Sequence, residues 1–242
     1  MAESLKNKVT VLTGAGGGIG SAIAEKLSAC GMKIVMLGGN NQAKLAATAE
    51  KIASGTECFI LPGNLTDMDF LEHAVTEIID RFGKIDVLIN NAGIAQSQKF
   101  EQISEAEFDR IMAINNKVPF FQTQKVIPHL KKSGGTIVNI ASVVAHAGYP
   151  LQSAYSASKH AMLGWTKSVA SEYYKDNIRV HAIAPGGVYT DMVKISRPDL
   201  SSEGMIMPED IAEIVWFLLA HRTNAVIDEI LVHRVGKEPF LV

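Results

Sequence analysis

The 242-residue chain alternates from end to end between two kinds of segment. Short β-branched apolar runs read as buried strands over Lys8–Thr13, Lys33–Leu37, Glu57–Leu61, Ile85–Ile89, Thr136–Ile140, Ile178–Ile183 and Ala225–Leu231. Between them lie stretches of helical period. Ile19–Ala29 puts Ile23, Ala24 and Leu27 on one stripe, and Asp67–Phe82 starts behind Thr66, a residue suited to an N-cap. Pro208 opens a helix with Ile211, Ile214, Val215, Leu218 and Leu219 on one side. No hairpin signal joins two strands, so the connections are crossovers, which close right-handed and give a parallel sheet. The expected fold is α/β: one domain over residues 1–242, a doubly wound seven-stranded parallel sheet with helices on both faces. Such a sheet places its ligand crevice at the C-terminal ends of the strands.

The loop after the first strand is Gly14-Ala15-Gly16-Gly17-Gly18-Ile19-Gly20, five glycines in seven residues. Glycine permits positive φ and close approach of a ligand to the backbone, and the helix start behind it offers unpaired N–H groups to a phosphate. The spacing is Gly14-x-x-x-Gly18-x-Gly20, not the strict G-x-G-x-x-G pattern, because Ile19 stands at its sixth position.

Four further patterns follow. Asn90-Asn91-Ala92-Gly93 follows the fourth strand, with Asn115 in a long helical stretch after it. Ser142 follows the fifth strand, 27 residues beyond Asn115, and Tyr155 lies 13 beyond Ser142. Tyr155 and Lys159, at i and i+4, share a helix face. The sixth strand runs into Pro185-Gly186-Gly187-Val188-Tyr189-Thr190. Together, and in this order, these patterns resemble those of the short-chain dehydrogenase/reductase family, including members that act on carrier-linked 3-oxoacyl chains. The resemblance spans Thr13–Thr190, about three-quarters of the chain.

The resemblance implies the Rossmann form of the sheet and hydride transfer between a nicotinamide cofactor and a ketone, aldehyde or alcohol. Tyr155 would be the acid/base. Lys159 would lower its pKa and hold the nicotinamide ribose, Ser142 would hydrogen-bond the substrate oxygen, and Asn115 would hold a relay water. The implied cofactor contacts are Gly14, Gly17, Gly18, Ile19, Gly20, Gly39, Asn40, Asn64, Leu65, Asn90, Ala92, Gly93, Tyr155, Lys159, Pro185, Gly186, Val188 and Thr190. A serine-nucleophile alternative, with His146 or His160 as base, lacks a G-x-S-x-G elbow. His146 is read instead as a pocket-wall residue.

After the second strand comes Leu37-Gly38-Gly39-Asn40-Asn41, without the carboxylate that binds an NAD ribose. Nor is there an Arg or Lys at the positions where NADP users often carry one, which Gly17 and Gly39 occupy. The expectation is NADP(H) ahead of NAD(H), with the 2′-phosphate held by the Gly38-Gly39 backbone N–H groups and the amides of Asn40 or Asn41. Lys44 lies one turn on, as a further donor or as a solvated chain.

Val143–Gln152 and Tyr189–Met207 are expected to wall the substrate pocket. Only 18 positions separate Thr190 from Pro208, and Met192, Met205 and Met207 suit either an adaptable pocket or packing against the last helix. Substrate classes left open are a 3-oxoacyl thioester, a sugar or polyol, and a hydroxysteroid. A different reading of the chain is a dinucleotide-sensing binding protein on the same fold.

Composition bounds the partners. Lys plus Arg is 23 and Asp plus Glu 25, a formal charge of −2, which argues against nucleic acid or an anionic membrane as partner. Two cysteines, Cys30 and Cys58, are too few for a disulfide framework, and no His/Cys/carboxylate cluster suggests a metal. Met1–Val11 carries no apolar leader run, so the expected location is cytoplasmic. The resemblance implies a homodimer or homotetramer, packed through the helices around Asn115 and Tyr155.

Overall fold

A computed structural model describes residues 4–39, 41–196 and 201–238. In chain order the elements are β1 (Val9–Thr13), α1 (Gly18–Ala29), β2 (Lys33–Leu37), α2 (Gln42–Ala49), β3 (Cys58–Leu61), α3 (Met68–Phe82) and β4 (Val87–Asn90). Then come α4 (Glu105–Met112), α5 (Val118–Leu130), β5 (Gly135–Ile140), α6 (Ser153–Tyr173), β6 (Ile178–Pro185), α7 (Asp191–Ser196), α8 (Pro208–Ala220) and β7 (Glu229–Val232). A π-helical segment, Ala113–Lys117, joins α4 to α5.

The seven strands form one parallel sheet in the order β3-β2-β1-β4-β5-β6-β7. Strand residues alternate between two buried faces, which is why the runs are continuously apolar rather than alternating with polar residues. Ile34 and Met36 of β2 join α1 and α8 on one face, where Ile23, Leu27, Ile211 and Val215 are fully buried. Val35 and Leu37 join α3 and α5 on the other, with Leu71, Ile78, Val126 and Leu130. The strand order reverses between β1 and β4, which opens a crevice above their C-terminal ends.

Two strands start at least two residues later than the sequence reading places them, and the other strand boundaries shift by two residues or fewer. β4 begins at Val87, within the usual spread of a strand boundary. β7 begins at Glu229 rather than Ala225, and for a specific reason. Arg179 of β6 donates to the carbonyls of Thr223 and Ala225, and His181 Nδ1 lies 2.6 Å from the Ile227 carbonyl. Side chains therefore occupy the acceptors that strand pairing would use, and main-chain pairing starts where Ala182 N donates to Asp228 O at 2.9 Å. No helix among the described residues is long and apolar enough to cross a membrane. Nor does any group of three or more His, Cys, Asp or Glu among them stand ready to hold a metal.

Candidate active site

The glycine loop between β1 and α1 is shaped by contacts that leave no room for side chains. A Cβ on Gly14, whose φ is +69°, would stand 2.8 Å from Ala92 Cα. One on Gly20 would stand 2.2 Å from Gly14 O. Both obstructions are backbone, so neither glycine can be replaced without moving the chain. Thr13 and Asn91 knit this loop to the one after β4. Thr13 Oγ1 accepts from the N–H groups of Asn91 and Ala92, both at 3.1 Å, and Asn91 Nδ2 donates to Thr13 O and Gly14 O. Thr48 of α2 braces the loop from behind, donating to Ala15 O at 2.8 Å. Gly17, the N-cap of α1, makes no side-chain cap, and a Cβ there would meet nothing within 4 Å.

Above this floor lies a cavity of about 430 Å³. Of the residues expected to contact a cofactor, Gly14, Gly17, Gly18, Ile19, Gly39, Ala92, Gly93, Tyr155, Lys159, Pro185, Gly186, Val188 and Thr190 line it. Four others do not. Gly20 is packed beneath the loop. Asn64 turns its Oδ1 back to Thr66 N and Oγ1, at 3.1 and 2.9 Å, closing its own turn, and Leu65 packs under Gly38. Asn90 is buried in the sheet, its amide donating to Thr123 Oγ1 and Asn139 Oδ1 at 3.0 and 2.8 Å. Asn40 lies outside the described residues.

The turn after β2 works differently from expectation. Gly38 N donates to Leu61 O at 2.8 Å and Gly39 N to Gly63 O at 3.0 Å. Both N–H groups are taken by the carbonyls at and just beyond the end of β3 and are unavailable to a phosphate. Asn41 Oδ1 caps α2 by accepting from Lys44 N. What faces the cavity in their place is Lys44, beside Asn41. Its ammonium pairs at 3.8 Å with Asp191, whose carboxylate also pairs with Lys194 at 3.6 Å.

A second cavity, of about 540 Å³, adjoins the first. Ser142, Tyr155, Gly186 and Val193 line both. Tyr155 and Lys159 sit near the start of α6, whose first amides are capped from a distance. The buried Gln96 accepts from Ala154 N and Tyr155 N at 3.0 and 3.3 Å. Ser142 Oγ donates to Pro185 O and accepts from Val144 N, both at a long 3.4 Å, and it also hydrogen-bonds the Tyr155 hydroxyl. Lys159 is buried, with Nζ donating to Ile140 O at 2.8 Å and lying 5.9 Å from the centre of the Tyr155 ring.

The electrostatics depart from expectation. Burial pushes the Tyr155 phenol above its usual value, and the Ser142 bond only partly opposes this. Burial also pulls the Lys159 ammonium down, to about 8, which leaves it charged at neutral pH. Asn115, fully buried in the π-helical segment, accepts from Ile94 N at 2.8 Å and donates to Ile94 O and Ser158 Oγ at 2.9 and 3.1 Å. Both of its N–H groups are taken, so its amide chiefly ties the loop after β4 to α6, and only the second lone pair of Oδ1 is left for a water. That oxygen lies 3.3 Å, and Lys159 Nζ 3.7 Å, from where a Gly93 side chain would begin. A side chain at this position would press on both groups.

The wall of the second cavity is partly as expected. Val143, Val144, Tyr149–Gln152 and Val193 form it. Met205 is instead buried against Gly187, Met207 is exposed at the start of α8, and the side chain of Met192 lies outside what is described. His146 turns from the wall to pair with Glu229, and His160 Nδ1 faces Ser156 O at 2.9 Å. Neither histidine therefore serves Ser142 as a base. The sequence reading missed His233, Arg234 and Lys237, which line this cavity from beyond β7.

A glycine-floored cleft meeting a second cavity at a serine and a tyrosine fits a dinucleotide beside a small substrate. The comparisons agree. The family model described as short chain dehydrogenase matches residues 8–201. The chain is 33% identical over 240 residues to a 3-oxoacyl-[acyl-carrier-protein] reductase of Thermotoga maritima, covering 94% of this chain and 96% of that one. Levodione reductase superposes with a TM-score of 0.87 at 32% identity, covering 95% of this chain and 96% of the other. A metagenomic short-chain oxidoreductase in complex with NADP gives 0.83 at 31% identity, over 96% and 99% of the two chains. The chain belongs to the short-chain dehydrogenase family, the oxidoreductases that interconvert carbonyl and hydroxyl groups with a nicotinamide dinucleotide.

Proposed function

We propose that this chain reversibly reduces a ketone or aldehyde, with Tyr155 as acid/base and NADP(H) ahead of NAD(H). The observation that carries the reading is the seam: Ser142 and Tyr155 line both cavities, so a group in one can meet a group in the other beside them. The reading takes residues 1–242 as one catalytic domain, since the first cavity draws on loops after β1, β2, β4, β5 and β6. The solved relative in complex with NADP supports the cofactor choice.

The dinucleotide, when bound along the glycine loop, supplies or accepts the hydride. Everything else falls to the chain. The phosphate end is met by the uncapped start of α1 and, for NADP(H), by Lys44 with Asn41. In the reductive direction the Tyr155 hydroxyl donates its proton to the substrate oxygen, and its high pKa keeps that proton in place until the oxygen becomes basic. Ser142, held by long bonds, turns its hydroxyl to the same oxygen as charge develops there. Lys159, anchored on Ile140 O, faces the resulting tyrosinate and helps return a proton to it. Asn115 acts as a positioning residue, holding Ile94 and Ser158 around Lys159.

Association through the α5 and α6 faces is part of this reading. Phe120 is 40% exposed and stands edge-on to Trp165 at 5.8 Å, an aromatic patch that a second copy would cover. Two free, half-buried thiols, Cys30 and Cys58, suit a reducing cytoplasm.

The test is Tyr155→Phe. Turnover of a carbonyl panel falls by about 10²–10⁴-fold, while NADPH binding, followed by nicotinamide fluorescence, stays within about twofold. Undiminished turnover would remove Tyr155 from the acid role. A wild-type protein that binds the nucleotide but turns over no carbonyl or alcohol would favour a dinucleotide sensor.

A further inference from the structure

The second cavity has an unbalanced wall. His233, Arg234 and Lys237 line it, and among the described residues no Asp or Glu does. Arg234 is half-buried, and among the described residues its guanidinium has one hydrogen-bond partner, the thioether of Met205, 3.5 Å from Nη1. A thioether is a weak acceptor, and a guanidinium offers five N–H donors in a planar fork. The other arginines among the described residues are better served. Arg81 and Arg110 fork onto Glu57 and Glu107, while Arg179 and Arg222 reach backbone carbonyls. Neither Arg234 nor Lys237 has a carboxylate within ion-pair distance among the described residues.

The segment that carries these cations is anchored. Gly186 N donates to Val232 O at 2.8 Å, which fixes the end of β7 to the loop that also lines the first cavity. Lys237 N donates to Arg234 O at 2.9 Å, so a tight turn brings the two cations to one mouth. Gly187 admits the arginine stem: a Cβ there would lie 3.6 Å from Arg234 Cδ and 3.3 Å from Met205 Cε.

We propose that the substrate is a small carbonyl compound bearing an anionic group, which Arg234 grips with help from His233 and Lys237 while the carbonyl rests at Ser142 and Tyr155. The inference rests on the reading of the Ser142–Tyr155 seam as the reaction centre. Arginine suits the task because its fork matches the two oxygens of a carboxylate, or two of a phosphate. The half-burial of His233 and Arg234 in a cavity wall favours a small molecule over a carrier protein, which would need its cations on an outer face.

The test has two arms. In the first, straight-chain oxo acids and their methyl esters are compared as substrates with NADPH, in wild type, Arg234→Gln and Arg234→Lys. The acids should exceed their esters in kcat/KM by about 10- to 100-fold; Arg234→Gln should erase that ratio while leaving the esters within about twofold, and Arg234→Lys should restore part of it. Esters as good as acids overturn the proposal, as does a variant that lowers both alike. So does a thioester on acyl carrier protein that outpaces every small acid and depends on Arg234. In the second arm, nucleotide-saturated protein is titrated by calorimetry with hexanoate, hexanamide and hexyl phosphate. Hexanoate or hexyl phosphate should bind at least about tenfold more tightly than hexanamide, and Arg234→Gln should remove the difference. The tighter of the two anions identifies the headgroup, and equal or absent binding of all three overturns the proposal. Selective anion binding without turnover of any carbonyl supports the anion site and counts against the reductase reading alone.

Discussion

Lys159 is buried, and its pKa falls from 10.5 to about 8. This makes it a group that costs stability while charged, and the cost depends on pH in a calculable way. Below pH 8 the lysine is protonated in both the folded and the unfolded chain, so the folded state carries the full penalty of a buried ammonium. As pH rises through about 8 the folded chain sheds the proton while the unfolded chain keeps it, and the penalty relaxes until about 10.5. With about 1.36 kcal/mol per pKa unit, the penalty is about 3 kcal/mol at neutral pH and about 2 kcal/mol at pH 9. Replacing the lysine by methionine removes this penalty and also the bond to Ile140 O, a loss that does not depend on pH. The stability difference between wild type and Lys159→Met should therefore shift toward wild type by about 1.3 kcal/mol between pH 7 and pH 9. Urea unfolding of both proteins without nucleotide, at the two pH values, measures the shift. Every other titrating group cancels in the double difference, and Lys159→Gln serves as a second reference should the methionine variant fold poorly. A difference that does not move with pH would show that the lysine keeps an ordinary pKa and that burial is not the controlling influence on it.

Other expectations follow from the same contacts. Gly20→Ala places a methyl 2.2 Å from a backbone carbonyl and should lower stability by about 1–3 kcal/mol and weaken nucleotide binding, both readable by thermal melts with and without NADPH. Lys44→Gln should raise the Kd for NADPH about tenfold and leave NADH nearly unchanged; an equal effect on both would move the 2′-phosphate contact elsewhere. Since Lys159 loses its charge above about pH 8, kcat/KM for reduction should decline through that pH in wild type, and a flat profile to pH 9 would separate the lysine from the proton path.

Much of this protein is legible from residue order because the governing physics is local. Strand and helix periods, the Gly14-x-x-x-Gly18-x-Gly20 spacing and the one-turn separation of Tyr155 from Lys159 all express constraints that act within a few residues. They are sufficient to anticipate a parallel sheet, a glycine-floored crevice and a tyrosine and lysine on one helix face, and these are found. The departures arise where a group's partner is remote in the chain. Gly38 and Gly39 look like free donors until Leu61 of β3 and Gly63 beyond it take their N–H groups. Asn64 looks like a cofactor contact until its side chain closes its own turn, and Ala225–Ile227 reads as strand until Arg179 and His181 occupy its carbonyls. Lys159 is expected to lower the Tyr155 pKa, but the tyrosine's own burial raises it. The cations at 233, 234 and 237 carry no motif, and they gain meaning only because β7 pairs beside β6 and delivers them to a cavity that begins at Ser142. Period and spacing report which conformation a segment takes. Hydrogen-bond competition, desolvation and the company a charge keeps depend on which segments the folded chain brings together.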